Sequence, residues 1–118
     1  MALASSLQVY PILYVLELQD GKWYVGTSLT LNIRLAQHLS GAEDSGSSRW
    51  VKKHKFVSVM EVRYPALGKM EDTVTLEYMR RFGWQNVRGG SWSQVEIPEK
   101  PRALDELEKF DKYYSSHA

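Results

Sequence analysis

The segment from Val9 to Leu18, VYPILYVLEL, is almost unbroken apolar, β-branched and aromatic sequence, and Asp20-Gly21 separates it from a second such run, KWYVGT. An Asp-Gly pair between two runs of this kind predicts a tight turn, so residues 9–27 are expected to form a β-hairpin. A first strand with so little polar alternation is expected to bury both of its faces. The rest of the chain must therefore supply elements that pack above and below the sheet.

Several segments have the periodicity to do so. Thr30 is placed to cap a helix in which Leu31, Leu35 and Leu39 recur at i, i+4 and i+8, with Gly41 as its stop. GAEDSGSSR at 41–49 has the composition of a loop, and RWVKKHK at 49–55 is a basic cluster with a tryptophan inside it. A third strand is expected over Phe56–Val62, ahead of the turn signals Pro65 and Gly68. Met70, Val74, Tyr78 and Phe82 predict a helix over 69–82 that Gly83 ends. WQNVRGGSWS reads as irregular, its Gly89-Gly90 pair serving either as an anion nest or as a turn. Pro101 opens a last, acidic helix with Leu104, Leu107 and Phe110 on one face, which either packs on the core or meets a partner. Strands and helices do not alternate throughout. The expected class is α+β, with a small, mainly antiparallel central sheet of about three strands flanked by helices.

Composition narrows the chemistry. The 118 residues suit one domain. With no cysteine there is no disulfide framework, no cysteine-ligated zinc or iron–sulfur cluster and no thiol nucleophile. His38, His54 and His117 lack zinc-ligand spacing, so a metal would be held by oxygen; His54 and His117 read as surface residues. No apolar run is long enough to span a membrane, and Met1–Leu7 lacks the basic start of a secretion signal. The expected location is cytoplasmic, or wherever the substrate is.

The net charge of +1 conceals a pattern. Between Arg49 and Arg88 nine basic side chains face four acidic ones, whereas 96–118 carries four basic and six acidic. Interleaved with Trp50, Trp84 and Trp92, these cations suit a phosphate backbone with bases stacked beside it. The competing reading is a solvated face over core tryptophans. The hairpin sharpens the choice, because its turn brings Tyr14 and Tyr24 close together. Arg34 and His38, at i and i+4, share one side of the helix that follows.

These residues resemble the GIY-YIG nuclease family. Ile12-Leu13-Tyr14 is similar to its first motif, with Ile12 where the family has glycine, and Tyr24-Val25-Gly26 to its second, separated by about the interval the family uses. Arg34 and His38 in RLAQH, Glu77 in DTVTLEYMRRFG and Asn86 in WQNVRGG match its later elements in order, so the resemblance spans roughly residues 10–92. It implies a divalent-metal-dependent endonuclease hydrolysing DNA. Glu77 would be the sole protein ligand of Mg2+ (or Mn2+), an ion that keeps most of its waters. Arg34 would hold the scissile phosphate, Tyr14 would accept the proton of the attacking water, His38 would accept or relay it, and Tyr24 would position phosphate or water. Lys22, Lys52 and Lys53, with Asn86 and Arg88, would contact substrate.

Each assignment has a structural counterpart: tyrosines that only pack, Arg34 as a helix surface charge, Glu77 as an ion-pair member. The alternatives in function are a nucleic-acid-binding module without catalysis, RNA as the substrate, or an interaction domain whose basic middle is merely solvated. Single- and double-stranded DNA remain open, and cutting both strands with one site calls for two visits or a homodimer.

Overall fold

A computed structural model describes residues 9–40 and 48–117, with side chains through 114. The expectations for Met1–Leu7, for Gly41 with the loop 41–47, and for the His117 side chain lie outside the described residues.

The hairpin forms. Strand β1 (Ile12–Leu18) pairs antiparallel with β2 (Lys22–Ser28), setting Tyr14 opposite Gly26 and Leu16 opposite Tyr24. Asp20 and Gly21 adopt φ of 65° and 69°, the left-handed pair that an Asp-Gly turn accommodates. Pairing begins at Ile12 rather than Val9, since Pro11 has no amide hydrogen for the ladder and Val9 and Tyr10 stay exposed.

β1 buries both faces, as its apolar run requires. Leu13 and Val15 join Trp23, Val25 and Val87 on one side; Tyr14, Leu16 and Leu18 join Trp50 and Val51 on the other. Helix α3 (Met70–Phe82) covers the first side through Val74, Tyr78 and Met79, while α1 (Leu31–Ser40) and α2 (Arg49–Lys53) cover the second. The Arg34 amide donates to the Thr30 carbonyl at 3.0 Å, which places Thr30 at the cap position of α1. Ser48 caps α2 through its hydroxyl, which accepts the Val51 amide at 3.1 Å, so the basic cluster is a short helix.

The sheet has four strands rather than three, in the order β3-β1-β2-β4. β3 (Phe56–Arg63) is antiparallel to β1, and β4 (Val87–Gly89) lies parallel to β2 inside the stretch expected to be irregular. Three residues are too few to display an alternation. Gly89 also has a packing role: a Cβ there would stand 2.5 Å from the Val25 carbonyl oxygen and 2.7 Å from Thr75 Oγ1. The Gly90–Ser91 turn is clamped to the start of α3, where Asp72 accepts the Ser91 amide at 2.8 Å and its hydroxyl at 2.6 Å. With Asp72 in that position, the glycine pair is a turn.

Helix α4 (Arg102–His117) anchors through buried Leu104 and an Arg80–Asp111 ion pair. Phe110, expected on the packed face, is exposed beside Tyr113 and Tyr114. Among the described residues, no helix is long and apolar enough to cross a membrane.

Candidate active site

Tyr14 and Tyr24 project from the same face of the hairpin as diagonal cross-strand neighbours, their ring centroids 6.3 Å apart. Gly26 makes the arrangement possible, because a Cβ there would stand 2.5 Å from Tyr14 Oη and 2.9 Å from the Tyr24 ring. The second motif thus ends in glycine for lack of room. Above the pair, α1 brings down His38, whose Nε2 lies 2.8 Å from Tyr14 Oη and whose ring sits 5.7 and 5.5 Å from the two phenol rings. His38 is 3% exposed, too buried for a surface histidine. Arg34, one turn earlier and half-buried, acts electrostatically on Tyr14, Tyr24 and His38. Four residues selected by sequence spacing therefore share one site.

Burial dominates the electrostatics there. It pushes the Tyr14 and Tyr24 phenols above their usual range, an effect each reinforces through negative charge nearby and the Arg34 guanidinium partly opposes. Burial, assisted by Arg34, lowers His38 to about 4. At neutral pH both partners of the 2.8 Å bond are therefore uncharged, and with the imidazole proton on Nδ1 the Tyr14 hydroxyl donates to a bare His38 Nε2. In that tautomer the tyrosine proton points at its acceptor.

The carboxylate that acts electrostatically on both tyrosines is Glu71, and Glu77 is elsewhere. Glu71, at the start of α3, accepts a hydrogen bond from Thr27 Oγ1 at 3.1 Å, and its charge raises both tyrosines. Glu77 accepts from Arg63 Nη2 at 3.1 Å and lines a separate cavity with Glu61, Arg80 and Arg81. Helix geometry accounts for the difference. At about 100° per residue, Glu71 falls in the middle of the buried stripe of Val74, Thr75, Tyr78 and Met79, whereas Glu77 points roughly 120° away and sits about 9 Å further along the axis. An acidic residue on the buried stripe was the available signal. Burial, with some help from Asp72, raises the Glu71 carboxyl despite the Thr27 bond. Ser48, also unforeseen, is hydrogen-bonded to Tyr24.

The expected substrate contacts divide. Lys22 Nζ donates to Asn86 Oδ1 at 2.7 Å, and Asn86 Nδ2 to the Phe82 carbonyl at 2.8 Å. Lys22 and Lys53 line one cavity of about 270 Å3, while Lys52 lines another of about 340 Å3 beside His38. Arg88 is no phosphate ligand. It is 3% exposed, donates to the carbonyls of Trp84, Val87, Gln94 and Val95, and lies 4.3 Å over the Trp50 ring. Trp50 is equally committed, donating from Nε1 to the Trp23 carbonyl at 2.9 Å, and Trp92 packs against the core beside α3. His54, expected at the surface, has its side chain only 13% exposed and lies edge-on to Trp50.

Among the described residues, no three His, Cys, Asp or Glu side chains come together. The oxygen donors nearby are the Glu71 carboxylate, the Thr27 hydroxyl bonded to it and, within its electrostatic reach, the two phenols, all hard ligands. That set fits a magnesium-type ion that retains its waters and takes a single carboxylate. Comparison with family models, with curated proteins and with solved structures returned no match.

Proposed function

We propose that this chain is a divalent-metal-dependent endonuclease that hydrolyses DNA phosphodiester bonds. The observation that carries the reading is the buried 2.8 Å Tyr14–His38 hydrogen bond, flanked by Tyr24, Arg34 and Glu71. A pair of neutral groups with a proton held between them is a base assembled for an uncharged nucleophile such as water. Two tyrosines that merely packed would need neither the histidine nor the charges.

In this reading Arg34 binds the non-bridging oxygens of the scissile phosphate with its planar, permanently charged fork. Tyr14 Oη takes a proton from the attacking water as it passes its own to His38 Nε2, so that no free phenolate need form; the negative charge of the bound phosphate offsets the burial that disfavours the imidazolium, which then returns its proton to solvent. Water oxygen bonds to phosphorus, the P–O ester bond breaks, and the departing oxygen is protonated from solvent. Tyr24, held by Ser48, fixes the orientation of water or phosphate. Glu71 would hold the metal, which supplies positive charge for the phosphate and the leaving oxygen.

The test is incubation of the purified chain with matched single-stranded and duplex oligonucleotides, with Mg2+ or Mn2+ and with chelator. Cleavage that depends on the metal and is lost in Tyr14→Phe and Glu71→Gln is expected. No cleavage of any DNA with either metal would overturn the catalytic reading and leave a binding module. Matched RNA oligonucleotides in the same assay decide the sugar.

A further inference from the structure

From the cavity lined by Trp84, Trp50, Lys22 and Lys53, we infer a subsite that takes one unpaired nucleotide of the strand being cut. This deepens the nuclease reading and rests on it for the word "cut"; the binding itself does not.

The cavity is built before any ligand arrives. Beneath it the buried Trp50 indole, pinned by its bond to the Trp23 carbonyl, carries the Arg88 guanidinium over its ring, and Arg88 is itself fixed by bonds to four backbone carbonyls. Lys22 is aimed by Asn86, which is anchored in turn on the Phe82 carbonyl. Trp84 forms an aromatic wall that is only partly buried. On the rim, Lys53 Nζ lies 3.2 Å from Glu96 Oε1, with half of the lysine and 81% of the glutamate side chain exposed. An exposed pair of this kind is weak and readily exchanged for another anion.

Its place relative to the tyrosines gives it meaning. Lys22 and Tyr24 are two residues apart on the same face of β2, about 7 Å, and α2 runs about the same length from Ser48 at Tyr24 to Lys53 at the cavity. Seven ångströms is about two steps of a stacked strand at roughly 3.4 Å each. A strand passing Tyr24 therefore presents a base about two steps on to Trp84 and its phosphate to Lys22 and Lys53. A volume of about 270 Å3 suits about one nucleotide. Only an unpaired base has a free face for an indole, so the substrate class is DNA single-stranded or locally unpaired beside the cut.

The experiment measures binding of the full chain to a thymidine oligonucleotide and to a duplex of equal length, across a salt series, with chelator present so that nothing is cut. Trp84→Ala is expected to weaken single-strand binding about tenfold without changing its salt slope, and to alter duplex binding less than about twofold. Because Trp84 also packs on the core, Glu96→Gln provides a second reading at an exposed position: removing the rim anion should tighten single-strand binding at least about twofold at low salt. Equal loss on both DNAs in Trp84→Ala, or unchanged single-strand affinity in either variant, overturns the subsite. Cleavage that fails while this binding signature holds would sink the nuclease reading alone, and cleavage without the signature would sink the subsite alone.

Discussion

Acid should destabilise this protein through His38 in particular, and the sign follows from its burial. In the unfolded chain the imidazole takes a proton as pH falls through about 6.5; in the folded chain it stays neutral down to about 4. Between those values the unfolded state binds more protons, so stability rises with pH across the window. The contribution is complete above about pH 6.5 and is lost progressively as pH falls towards 4. A gap of about two and a half pH units amounts to roughly 3 kcal/mol, a large share of the 5–15 kcal/mol typical of a domain this size. Urea unfolding followed by tryptophan fluorescence at pH 7 and 4.5 measures it. His54 is also lowered, by burial and by Lys22 and Lys53, so the informative quantity is the difference from His38→Gln. That variant keeps an acceptor for Tyr14 but cannot titrate, and it should lose roughly 2–3 kcal/mol less than the wild type over the same interval. Equal losses in the two proteins would refute the claim that His38 is held neutral by its site.

Glu71→Gln should reduce cleavage at least about 100-fold while DNA is still bound, whereas Glu77→Gln should leave cleavage within about twofold and cost less than about 1 kcal/mol for its half-exposed Arg63 pair; inactive Glu77→Gln would return the carboxylate role to that position. Gly26→Ala should cost about 1–3 kcal/mol and abolish cleavage, because the new methyl group displaces Tyr14 from His38; normal activity would mean that the two need not touch. Arg88→Met should destabilise by at least about 3 kcal/mol in urea by leaving several carbonyls without donors, and unchanged stability would put Arg88 back among the substrate contacts. The salt slope of duplex binding should lie near −4 to −5, the value for about five phosphate contacts; a slope near −10 would mean that cations away from the site also bind.

Where local chemistry sufficed, the sequence was legible. The Asp-Gly turn, the double-faced burial of β1 and the i, i+4 pairing of Arg34 with His38 each depend on neighbouring residues, and each is present. β4 was not legible, because three residues carry no period and their strand status comes from lying beside β2. The expectation for Glu77 departed from the structure for a different reason. Choosing a glutamate by its order after the strands ignores azimuth, and on a helix six residues separate two side chains by about a third of a turn and about 9 Å. The buried stripe, read as a direction rather than as a count, distinguishes them.

The basic middle was the least specific sequence signal and becomes the most informative once its members are separated. Of its nine cations, Arg88 is spent on backbone carbonyls, Arg63 on Glu61 and Glu77, and Arg80 on Asp111. These are structural, and a count that includes them overstates attraction to DNA. Lys52 and Lys55 line the cavity beside His38, and Lys53 meets Lys22 in the cavity beside Tyr24. With Arg34, those five cations follow α1, α2 and the start of β2 along the side of the sheet that holds the tyrosines. The glutamate comes from the other side, where α3 reaches the end of β2 at Thr27. In the proposed reading, a phosphate at this edge would be approached by lysines and arginine from one layer and by the Glu71 carboxylate from the other. The four-stranded sheet thereby sets the opposing charges on separate layers.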